Sequence, residues 1–115
     1  MRYAIYLLVP LLTTLAAYEL MYTPHTKVYK SDGSVQCENT GIDLDVMGLE
    51  LSNAGIDYTC AQKGNNGLVY AQICGGATGL INIYTLNTKN IEDIHALGFE
   101  SVYTLVDYQD EVCKN

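Results

Sequence analysis

The chain predicts an α+β domain: a small, mostly antiparallel sheet of four to five strands with two helices on one face, the ferredoxin-like (split βαβ) plan being favoured. Three observations lead there. At 115 residues there is room for one domain. Strand-like alternation and helix-like periodicity succeed one another along it. A short motif then recurs at the two junctions where a helix hands over to a strand. Ala54-Gly55-Ile56-Asp57 closes the first helical segment, and Leu97-Gly98-Phe99-Glu100 closes the second. In each, glycine supplies a left-handed turn, an apolar residue folds back onto the helix and an acid faces water. Two similar strand–helix–strand halves are what the split βαβ arrangement requires.

The elements follow in order. Residues 1–17 have the layout of a secretory signal peptide, with Arg2, an apolar run from Ala4 to Ala17, and small residues at the end. Fourteen residues at about 1.5 Å each reach roughly 21 Å, short of a bilayer core of about 30 Å. Cleavage is therefore expected rather than anchoring, leaving 18–115 as a single domain with an acidic C-terminal tail and no membrane attachment. Tyr18 to Thr26 has no clear period and reads as an extended lead-in. TKVYKSDGSVQCE alternates around the turn dipeptide Asp32-Gly33, which predicts a small hairpin or one bulged strand.

TGIDLDVMGLELSNAG reads as a helix with Leu44, Met47 and Leu51 on one face and Gly55 beyond its end. Thr40 with Asp43 is a loose capping box, although Asp43 can itself be the cap. IDYTCAQ follows as a strand with Ile56, Tyr58 and Cys60 on one side. LVYAQIC, within the long connection from Ala61 to Gly79, is too apolar for a solvated loop and predicts an extra strand. LINIYTL alternates Ile81, Ile83 and Thr85 against Asn82 and Tyr84. NIEDIHALG is a short helix capped by Asn90 and stopped by Gly98, and FESVYTLV a last strand.

Four cysteines, Cys37, Cys60, Cys74 and Cys113, in an exported chain of this size read as a disulfide framework. In the split βαβ plan three of the thiols gather at one end of the sheet. That favours Cys60–Cys74 with Cys37–Cys113; the main rival is Cys37–Cys74 with Cys60–Cys113. No Cys-x-x-Cys spacing supports redox chemistry, and the thiols are too scattered for zinc. His25, beside Pro24, and His95, on the second helix, have no nucleophile or carboxylate at a motif spacing. Asp43 with Asp45, and Glu92 with Asp93, are explained by helix starts. No catalytic residue, metal or cofactor is expected.

Gly75-Gly76-Ala77-Thr78-Gly79 is the one stretch resembling a ligand loop, with Gly75, Gly76, Thr78 and Gly79 able to form a backbone nest for an anion. It holds no Lys or Arg and precedes a strand, so a turn is the better reading. Without Arg2, five basic side chains face thirteen acidic ones, a balance that repels nucleic acid and anionic lipid and attracts a basic protein.

The order of Gln36-Cys37-Glu38, Ala54-Gly55-Ile56, Cys74-Gly75, Thr78-Gly79-Leu80-Ile81-Asn82 and Leu97-Gly98-Phe99 resembles a group of small, uncharacterised bacterial exported proteins. The resemblance implies a bacterial origin and export, and carries no activity. The leading expectation is a non-enzymatic exported interaction domain, periplasmic or extracellular, held by two disulfides. One alternative is a periplasmic inhibitor of a basic secreted hydrolase, and another a thiol–disulfide redox protein.

Overall fold

The computed structural model describes residues 26–87 and 91–114. The signal peptide, the lead-in with His25, and Asn90 lie outside the described residues. The elements are β1 (Thr26–Ser31), α1 (Leu44–Asn53), β2 (Tyr58–Asn65), β3 (Leu80–Leu86), α2 (Ile91–Ala96), β4 (Glu100–Ser101), a single 3-10 turn (Val102–Thr104) and β5 (Gln109–Asp110). The strands make one antiparallel sheet in the order β4-β1-β3-β2-β5. The class is α+β, as the sequence predicts.

β3 is central, and LINIYTL shows why. Successive side chains point to opposite faces, and both faces of this strand are buried. Tyr84 and Leu86 join Val28 and Ala61 beneath Leu44, Met47 and Leu51 of α1 and Ile94 of α2, with Ile56 and Phe99 closing the core. Ile81 and Ile83 face the other way, onto Val102, Leu105 and Tyr108. Each helix ends as the repeated motif predicts. Gly55 has φ +78°, and the amide of Ile56 returns to the carbonyl of Leu51 at 2.9 Å. Gly98 has φ +90°, and Phe99 returns to Ile94 at 3.1 Å. Both apolar residues are then carried into the core.

The second face has a cover that the periodicity does not announce. FESVYTLV is a strand only at Glu100–Ser101. Ser101 accepts a hydrogen bond from the Tyr103 amide at 3.2 Å, and the Thr104 hydroxyl donates to the Ser101 carbonyl at 2.7 Å. These local bonds compete with the ladder and wind the backbone into a 3-10 turn. The chain then crosses the sheet from the β4 edge to the β5 edge as a strap. Its approach requires Gly64, because a Cβ there would meet the Gln109 carbonyl and the Ile83 side chain.

Other expectations are corrected. β1 stops at Ser31 and pairs with β3, so Asp32-Gly33 makes no hairpin; the Asp32 carboxylate instead accepts from the Ser34 amide at 2.9 Å. Asp43 occupies the N-cap position of α1 without a side-chain cap bond, and Thr40 accepts from Val35 rather than closing a capping box. A bulge at Thr59 separates Tyr58, opposite Leu86, from Cys60, opposite Thr85. Ile56 and Tyr58 therefore face the helices while Cys60 turns to the strap. LVYAQIC is not a strand. β3 already has β1 and β2 as neighbours, and the two-residue β5, not this segment, pairs with the outer side of β2.

The favoured disulfide pairing is also overturned: the bonds are Cys37–Cys74 and Cys60–Cys113. The bulge accounts for this. Cys60 lies near the start of β2 on the strap face, within reach of Cys113. Cys74 sits beyond the far end of β2, next to Cys37.

Candidate functional site

The connection from Asn66 to Gly79 lacks regular structure but is tied down near both ends and at its middle. Gln36 is its hub. Its side-chain amide donates to the carbonyls of Ala71 and Ala77 at 2.8 and 2.9 Å and accepts from the Ile73 amide at 3.0 Å. Its backbone exchanges bonds with Gly76 and Gly75 at 2.9 and 3.0 Å. The Cys37–Cys74 bridge sits one residue further on, with Cys37 in the left-handed region at φ 69°. At the near end, Asn66 donates to the Tyr70 hydroxyl at 2.7 Å and accepts from the Leu68 amide at 3.0 Å.

This places the candidate ligand loop. The amides of Gly75 and Gly76 are committed to the carbonyls of Gln36 and Ile73. Thr78 shares a hydroxyl contact of 2.7 Å with Ser34 and accepts from the Leu80 amide. Gly79, at φ +78°, lies against the Tyr70 ring. The stretch anchors the connection.

The anchored loop displays apolar side chains. Val69 is 99% exposed, Leu68 65% and Ile73 64%. Leu68, Leu80 and Val106 line a groove of about 650 Å³ between the loop and the strap, with Asn66, Asp107, Tyr108 and Gln109 among its other walls. Leu68, Val69 and Ile73 thus lie exposed on a loop that the Cys37–Cys74 bridge and the Gln36 hydrogen bonds anchor. Sequence reasoning missed Gln36 and the outward orientation. The one available signal was an apolar segment inside a long connection.

Charge is distributed unevenly. Every described lysine is ion-paired: Lys27 with Asp110, Lys30 with Glu50, Lys63 with Asp32 and Lys114 with Asp45. Among the described residues, Asp107, Glu38, Asp57, Glu92, Asp93 and Glu100 form no ion pair. The exposed pairs add little stability, but they leave the uncompensated surface charge negative. His95 is exposed near the C-terminal end of α2. Among the described residues, no group of three or more His, Cys, Asp or Glu is placed to hold a metal ion.

A buried polar cluster supports the loop preceding α1. Asp32 is 3% exposed and receives the Lys63 ammonium at 3.1 Å, which also donates to the Ile42 carbonyl at 3.1 Å. Asn82 donates to the same carbonyl at 2.8 Å, and its side-chain oxygen has no hydrogen-bond partner among the described residues. Burial alone would raise the Asp32 carboxyl, but bonds from Ser34 and the charge of Lys63 outweigh it and hold it below its ordinary 3.8. A depressed carboxylate contributes stability above its unfolded value and loses it as pH falls through the folded one. Unfolding free energy should therefore decline on acidification below about pH 4. Asp32→Asn should lose about 1–3 kcal/mol at pH 7 and flatten that decline. Denaturant titrations from pH 2.5 to 7 measure both, and an unchanged acid limb in the variant would refute the assignment.

No helix among the described residues is long and apolar enough to cross a membrane. No family model, curated protein or solved structure matches the chain.

Proposed function

We propose that the chain is an exported interaction domain that presents the 66–79 loop to a protein partner. The observation that carries this is Val69, almost fully exposed at the crest of a loop whose backbone is fixed on both sides. A preorganised loop loses little conformational entropy on binding, so its apolar area converts into affinity efficiently. The disulfides fit an oxidising compartment. The topology also supports the split βαβ plan: β4-β1-β3-β2, with helices after β1 and β3, carries β5 as an added edge strand.

A photo-crosslinking residue at position 69 tests the site. It should give a discrete adduct with a partner, whereas one at Val46, exposed on α1 beside Leu49 and after Ile42 of the preceding loop, should not. Leu68→Ser should abolish the adduct while changing stability by no more than about 0.5 kcal/mol. Adducts at position 46 and none at 69 would move the binding surface to the helix.

A second reading, inhibition of a basic secreted hydrolase, is favoured by the pairing of every described lysine. It differs in requiring that capture weaken steeply as salt is raised.

A further inference from the structure

We infer that the segment from Leu68 to Ile73 is a substrate-like loop that enters the active-site cleft of an endopeptidase and inhibits it, with Val69 in the pocket that selects the residue before the cleaved bond. The inference rests on the docking reading above and names the class of partner. The segment runs without turn or bend, and every residue in it except Tyr70 is exposed. An extended peptide is recognised through its backbone hydrogen-bonding groups and through side chains that enter pockets. Both are left free here. The backbone of Val69 and of Tyr70 makes no hydrogen bond with any described residue, and Val69 is 99% exposed. Asn66 to Gly79 also contains no charged residue, which suits the desolvated centre of an interface.

An exposed loop is ordinarily a site of nicking, and what makes this one an inhibitor is that both sides of the Val69–Tyr70 bond are held. Upstream, the Gly67 and Leu68 amides donate to the side chains of Asn65 and Asn66 at 2.9 and 3.0 Å. Downstream, the Tyr70 hydroxyl accepts from Asn66, its ring lies against Gly79, and Gln36 holds the Ala71 carbonyl and the Ile73 amide. Both disulfides join a residue before the bond to one after it, and β1 and β2 pair with β3 across it. The serine or cysteine nucleophile of the peptidase adds to the Val69 carbonyl carbon. The bond to the Tyr70 nitrogen then breaks as the peptidase's acid protonates that nitrogen, leaving an acyl-enzyme and a new α-amine. Held in place, the amine returns its proton and re-adds to the acyl carbon at high effective concentration, ahead of water. The peptide bond is remade, and the cleft stays occupied.

The test uses the purified, oxidised protein with two peptidases: pancreatic elastase, whose specificity pocket is small, and trypsin, whose pocket carries a carboxylate. The protein should inhibit elastase and spare trypsin. Mass spectrometry after reduction should find a single cut, between Val69 and Tyr70, in a fraction of molecules that stops rising well short of completion. Val69→Lys, at a fully exposed position, should move inhibition to trypsin and weaken that of elastase about thirtyfold, the effect of losing a hot-spot residue. Gln36→Ala should leave the sheet amides unchanged by NMR but let the cut run to completion, so that inhibition becomes transient. Failure of both matched pairs to show inhibition, rapid complete cleavage of the parent protein, or cuts confined to other bonds would each overturn the inference. A crosslink from position 69 to a partner without peptidase activity would also overturn it, and would leave the docking loop standing. Loss of both crosslink and inhibition would remove both readings.

Discussion

Replacing Cys60 and Cys113 together with alanine should lower the unfolding free energy by about 4 kcal/mol, the chain-entropy value for a closed loop of this span. The bridged residues are 53 apart in sequence. A domain of this size has about 5–15 kcal/mol in all, so the variant should sit near the limit of folding. The loss falls on a particular structure. Cys113 is the distal anchor of the strap, whose Val102, Leu105 and Tyr108 cover Ile81 and Ile83. Beyond Asp110, the strap is otherwise held by the Glu111 amide on the Lys63 carbonyl, the Gln62 side-chain amide on the Glu111 carbonyl at 2.5 Å, the Lys114 amide on the Ala61 carbonyl and the exposed Lys114–Asp45 pair. Hydrogen exchange should therefore report early exposure at Gly64 and Asn65. Cys37→Ser with Cys74→Ser opens a loop of similar entropic weight, with a separation of 37, but should loosen the 66–79 loop while leaving the strap protected. Peptide mapping without reductant decides the premise: a Cys60–Cys74 linkage would remove it.

What was legible in the sequence follows the range of the forces involved. The helix terminations were legible because Gly55 with Ile56, and Gly98 with Phe99, act within one turn of chain and need no distant partner. The central strand was legible as a strand, since LINIYTL alternates, but not as a strand buried on both faces. That depends on where residues twenty positions later are laid down. The strap was hidden for the same reason: Val102 to Tyr108 has strand-like composition, and only the Ser101 and Thr104 bonds turn it aside. The bulge at Thr59 has no composition signal, yet it sends Cys60 to the other face and so decides the cysteine pairing. In the candidate site, the glycine-rich stretch was legible as a turn. The apolar letters of LVYAQIC were visible too, but their outward orientation depends on contacts from Gln36 and Cys37, far away in the chain.

Phe99→Ala should be the most damaging single substitution in the helix-side core, at about 3–5 kcal/mol. Phe99 is fully buried where the chain leaves α2 for β4, and its ring meets that of Tyr84 edge-on at a centroid distance of 5.8 Å. Tyr84 in turn donates its hydroxyl to the Leu44 carbonyl at 2.6 Å and stacks edge-on with Tyr58 at 5.0 Å. Removing the Phe99 ring therefore opens a cavity beside a buried hydroxyl that fixes the start of α1. Lys30 lies over the other side of the ring at 5.4 Å while its ammonium bonds the Leu97 carbonyl and Glu50, both at 3.0 Å. That cation–ring contact contributes about 0.5–1 kcal/mol at an exposed site, so most of the loss is cavity and transfer energy. Phe99→Leu should cost about 1.5 kcal/mol or less, because the site stays apolar and nearly filled. Ile56→Ala, at the equivalent turn after α1, should fall near the lower end of about 2–5 kcal/mol, since Ile56 has no aromatic stack to lose. Urea unfolding of the three variants gives the order directly. A cost for Phe99→Ala no greater than that of Ile56→Ala would mean that the Tyr84 stack closes over the gap rather than depending on the ring.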